Sequence, residues 1–124
     1  MTEEQIELAR QVLATGRFEW RPGMRFTDDT GGVLGRYEGG APPAANVLPD
    51  LSDPATAGAL VDFLDGVTPI VDIAKEGDEW IVAVETAEGL KGWIGATLGE
   101  ATCWAFLSAL EDGLSGEDGE GALA

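Results

Sequence analysis

Histidine is absent from this 124-residue chain and cysteine occurs once, as Cys103. Without histidine the chain lacks the usual base at neutral pH, the commonest nitrogen ligand for metals and every His-based triad. One cysteine forms no internal disulfide, so nothing calls for an oxidising compartment. Positive charge is also scarce, at seven Lys and Arg against 23 Asp and Glu. No uninterrupted apolar run approaches the roughly 20 residues that span a bilayer. The opening Met1-Thr2-Glu3-Glu4-Gln5 lacks the cationic flank and apolar core of a secretory signal, and the expected compartment is the cytoplasm.

The scarce positive charge is unevenly placed. Residues 1–36 hold five Arg against six acids, whereas residues 37–124 hold only Lys75 and Lys91 against seventeen. An anionic surface of that density repels nucleic acid and anionic membrane and favours basic partners. Length sets one domain. With 44% apolar residues, including Trp20, Trp80, Trp93 and Trp104, the composition is that of a folded core.

Helix and strand signals alternate along the chain. Thr2 and Gln5 match a capping box, Ile6, Leu8, Ala9, Val12 and Leu13 recur at helical spacing, and Gly16 follows; the pattern predicts a helix over 3–14. Phe18 to Phe26 alternates large apolar with charged residues around Pro22-Gly23. With the turn Asp28–Gly32 and Val33–Tyr37 it reads as a short hairpin. Residues 38–50, rich in Gly, Pro and Ala, read as a loop. Asp53-Pro54 opens a second helix buried through Ala57, Leu60, Val61 and Leu64 and ended by Gly66. Val67–Ala74, Trp80–Val84 and Lys91–Ala96, joined by short Gly turns, predict an antiparallel three-stranded meander. A last helix over about 99–112 places Cys103, Phe106, Leu107, Leu110 and Leu114 on one face. The expected fold is a single α+β domain over 1–112, order α-β-β-α-β-β-β-α, with an acidic Gly-rich tail over 113–124 of a composition that is ordinarily disordered.

Several of these stretches together resemble a known group. The N-terminal helix, Trp20-Arg21-Pro22-Gly23-Met24-Arg25, the stretch Leu48-Pro49-Asp50-Leu51-Ser52-Asp53-Pro54-Ala55-Thr56, the strands around Trp80 and a closing alanine-rich helix look like small phage and prophage proteins described as phage ABA sandwich domains. The resemblance spans about residues 3–112 and is most specific over 48–56. It implies an α/β sandwich and a phage accessory role, and it supplies no catalytic residues. The chain departs from that pattern at Ala101-Thr102-Cys103-Trp104-Ala105, where a plainer Glu/Ala helix is expected.

Candidate chemistry is sparse. Cys103 lies on an apolar stripe and reads as a core residue rather than a nucleophile. Asp50 and Asp53 read either as a turn former and a helix cap or as ligands of a hard cation. Asp28 and Asp29 lack the spacing of a calcium loop. Gly31, Gly32 and Gly35 are followed by neither Gly-Lys-Ser/Thr nor a helix, and make no phosphate cradle.

Arg17, Arg21 and Arg25, with Trp20, are the one cationic cluster; they read either as a small-anion or nucleotide site or as partners of the chain's own acids. Trp93, between glycines, and Trp104, beside its helix stripe, are candidates for a partner or homodimer contact. Asp62, Asp65, Asp72, Glu76, Asp78 and Glu79 are the acids expected to meet a basic partner. The leading expectation is a non-enzymatic phage accessory protein that binds a basic host protein, with mimicry of DNA against a host defence complex as one form of it. No direct nucleic-acid binding, membrane association or cofactor is expected. A nucleotide-binding module, an oligomeric phage component and a carboxylate–metal enzyme are the alternatives, in that order, and plain solubility or salt adaptation is the ordinary account of the acidity.

Overall fold

The structure is a computed structural model and describes residues 1–43, 46–86 and 88–119. Its first helix, α1, spans Glu3–Ala14. Gln5 N–H donates to the Thr2 hydroxyl at 3.1 Å and Thr2 N–H to the Gln5 side chain at 3.0 Å, which completes the capping box. Gly16, at φ 72°, turns the chain out of the helix in a conformation that L side chains rarely adopt.

The expected first hairpin is shorter than the alternation suggests. Only Arg25–Thr27 (β1) and Val33–Arg36 (β2) form strands, with a register shift between Phe26 and Thr27. Residues 18–24 are instead held by an edge-on aromatic cluster: Phe18 and Trp20 stand 5.2 Å apart, and Trp20 touches Phe26 and Tyr37. A third strand, β3 (Leu48–Pro49), lies inside the stretch that reads as a loop and pairs with β1. Pro49, which has no N–H to donate, sits in this edge strand.

Helix α2 (Pro54–Asp65) starts at its Asp53 cap and buries Thr56, Ala57, Leu60 and Leu64. The meander follows as β4 (Ile70–Glu76), β5 (Glu79–Thr86) and β6 (Gly89–Gly95), antiparallel in the order β4-β5-β6. Val67–Pro69 closes the α2 turn instead of opening the strand, since Val67 and Thr68 N–H both return to the Leu64 carbonyl. The last helix, α3, runs Leu98–Gly119, through residues counted in the sequence as tail; residues 120–124 and the Leu114 side chain lie outside the described part.

Helix α3 is the hub of the fold, packing on β5, β6, α2 and α1. Its buried Ala101, Cys103, Ala105 and Phe106 meet Leu8, Ala9 and Val12 of α1, Leu60 and Leu64 of α2 and Val82 and Val84 of β5 in one core. The architecture is α+β, with two three-stranded antiparallel sheets and three helices. Among the described residues no helix is long and apolar enough to cross a membrane.

Candidate interaction surface

The arginines do not converge on an open anion site. Arg25 Nε donates to Asp50 at 2.8 Å and lies 3.8 Å from Asp53. Arg21 donates to Asp62 and lies over the Phe63 ring, 5.7 Å from its centroid. Residues 18–24 are not a strand, so the apolar–charged alternation there does not gather the arginines on one face. Arg17 is exposed, and its guanidinium has no partner among the described residues.

Asp50 and Asp53 do the work of a clasp. Asp53 caps α2 by accepting from Thr56 N–H at 3.0 Å and from its hydroxyl at 2.9 Å. Arg36 of β2 adds a two-pronged contact at 2.9 and 3.2 Å. Burial pushes the Asp53 carboxyl upward, but the bonds from Arg36 and Thr56 outweigh it and hold the group at about 2. Asp50 is likewise pushed up by its burial but held low by the Ser52 hydroxyl and N–H and by Arg25. The cluster ties β1 and β2 to the start of α2, and arginine fills the place of the hard cation considered from sequence. The role of Arg36 carries no sequence signal, because it depends on the hairpin register.

Cys103 is buried, and desolvation, with the nearby Glu100 charge, pushes its thiol far above its ordinary value. The Asp28 carboxyl is also held below its ordinary value, by bonds from Thr30 first and then from Gly32. None of these shifts brings a group toward neutral pH, which is where an acid or base catalyst operates. Among the described residues, the recess of about 110 Å³ beneath α3, between Val84, Trp93 and Ala105, is lined by no titratable side chain.

The acids singled out from sequence divide into two sets. Asp62 and Asp65 lie on α2, where Asp62 pairs with Arg21 and Asp65 accepts from Ile70 N–H at 3.1 Å. Asp72, Glu76 and Glu79 lie on the meander, with Asp78 in its β4–β5 turn, all exposed. Residues directly opposite across antiparallel strands share a face, so the register sorts the rest. Trp80, Val82, Val84, Ile73 and Trp93 face α3. The other face carries Asp72, Ala74, Glu76, Glu79, Ile81, Ala83, Glu85, Leu90, Gly92 and Ile94.

Trp93 is therefore half-buried on the core side; the exposed place falls to its neighbour Ile94, at 54%. Trp104 keeps 40% of its surface exposed on α3. Glu85, Ile81, Leu90 and Ile94 escaped the sequence reading because a face becomes visible only once register is known.

Among the described residues, this outer face has no helix over it and no cation on it. Lys75 opposes Trp80 on the inner side, with its ammonium 5.6 Å from the ring centroid, and Lys91, opposite Val84, pairs with Glu88 at 3.0 Å. The chain matches no family model, no curated protein and no solved structure.

Proposed function

We propose that this is a non-enzymatic binding protein that docks on a basic site of a macromolecular partner through its anionic surface. The carrying observation is the uncompensated charge of the meander: Asp72, Glu76, Glu79 and Glu85 share an exposed face without a cation, while four of the five arginines contact carboxylates of their own chain. Among the described residues, the carboxyls of Asp28, Asp50 and Asp53, held low, and the Cys103 thiol, pushed up, lie away from neutral pH and support a binding role over a catalytic one. In the form that the residue resemblance suggests, the chain is a phage accessory protein and its partner a host nucleic-acid-binding protein whose DNA site it occupies. Carboxylates then stand where phosphates would, and association falls steeply with salt.

The test is retention of host proteins on the immobilised chain. The expected result is retention of basic proteins that release between about 0.1 and 0.5 M salt and are displaced by duplex DNA. Retention indifferent to both salt and DNA would contradict the reading.

A further inference from the structure

The outer face of the meander is more than a set of charges. Its cross-strand rows place Ala74, Ile81 and Ile94 side by side, then Asp72, Ala83 and Gly92, then Glu85 and Leu90. Ile94 and Leu90 are 54% and 63% exposed, and the small Ala83 and Gly92 leave a trough between their rows. A Cβ built on Gly92 would touch only Ile81, at 3.5 Å, so the trough is open. Carboxylates bound it: Glu76 and Glu79, directly opposed, at one end, Glu85 at the other and Asp72 on the β4 side. Like charges set opposite each other destabilise a sheet, so the Glu76–Glu79 pair is a standing cost that a cation would relieve.

We infer that this face is a docking platform for a cationic amphipathic helix of a protein partner, its apolar stripe lying in the Ile94–Leu90 trough and its lysines or arginines meeting Asp72, Glu76, Glu79 and Glu85. Leu90 and Ile94, four residues apart on β6, set the two walls of the trough roughly 13 Å apart along the strand, about the width of one helix with its side chains. Charge selects among occupants. A second copy would set four carboxylates against four, on chains of formal net charge −16. Nucleic acid and anionic lipid are repelled in the same way. A partner with both an apolar stripe and flanking cations satisfies both halves of the surface. The inference rests on the proposed function and specifies its surface and its partner's chemistry.

Two synthetic helical peptides of equal positive charge test it, one with Lys flanking a Leu stripe and one with Gln in place of Leu. The Lys/Leu peptide is expected to bind at least tenfold tighter, with backbone amide shifts centred on Ile81, Ala83, Leu90 and Ile94. The paired change Leu90→Ser, Ile94→Ser should reduce its affinity to that of the Lys/Gln peptide. Gly92→Val, which puts a β-favouring side chain where ordinary contact space exists, should leave the fold intact and weaken the Lys/Leu peptide at least fivefold by filling the trough. Equal binding of the two peptides, insensitive to both variants, would overturn the platform while leaving the acidic reading standing. Failure of both peptides to bind at low salt would overturn both. Self-association through Leu90 and Ile94 would overturn the platform in favour of a second copy.

Discussion

Asp53 has the strongest structural claim of any single residue. It is 4% exposed, caps α2 and anchors Arg36 of β2. Asp53→Ala is expected to cost about 2 kcal/mol, from the lost cap and the lost charged hydrogen bonds, lowering Tm by roughly 8 °C. Its pKa of about 2 lies below the ordinary 3.8, so the unfolded chain binds the proton more readily. The contribution is thus fully present above about pH 4 and is lost as pH falls toward about 2. A Tm–pH series should show this as an acid limb that Asp53→Asn makes shallower. Cys103, buried and with its thiol pushed up, should resist thiol reagents until the protein unfolds. The cap at Asp53 and the core place of Cys103 were legible in sequence, since each depends on local spacing. The Arg36 clasp was not, because its partner lies 17 residues away, beyond the loop and β3.

Elements explain why two helical glycines should respond in opposite directions. Gly58 of α2 has nothing within 4 Å of a built Cβ, so Gly58→Ala should stabilise by about 0.5–1 kcal/mol. Gly99, in the first turn of α3, lies so close to the Leu51 carbonyl that a Cβ would overlap it. Gly99→Ala should therefore destabilise by about 2–3 kcal/mol despite its better helix propensity, as urea or thermal melts will register. The same approach lets the Thr97 hydroxyl donate to the Leu51 carbonyl at 2.8 Å and accept from Glu100 N–H at 3.1 Å, which caps α3. Long periodic segments such as α1, α2 and the meander were readable from their hydrophobic period. The two-residue β3 is not, because so short a strand carries no period, and residues 18–22 differ from the alternation because aromatic packing holds them, the backbone pairing with Tyr37 reaching only Gly23 and Met24.

At the scale of the molecule, the sequence shows an imbalance of charge but not its geometry. The fold buries Asp50 and Asp53, pairs Asp62 and gathers Asp72, Glu76, Glu79 and Glu85 on an open sheet. The acidity past Tyr37 is therefore divided among structural and exposed roles, and the exposed face is the part on which the proposed binding rests. The decisive measurement is the salt dependence of affinity for the Lys/Leu peptide in two fourfold-neutralised variants. One carries Asp72→Asn, Glu76→Gln, Glu79→Gln and Glu85→Gln; the other removes the same charge at the exposed Glu3, Glu4, Glu19 and Glu38, each changed to Gln. The sheet variant is predicted to lose at least tenfold in affinity and most of its salt dependence, while the control stays within about threefold of the unaltered protein. Equal losses in the two variants would mean that net charge, and not this face, governs binding, and would contradict the account.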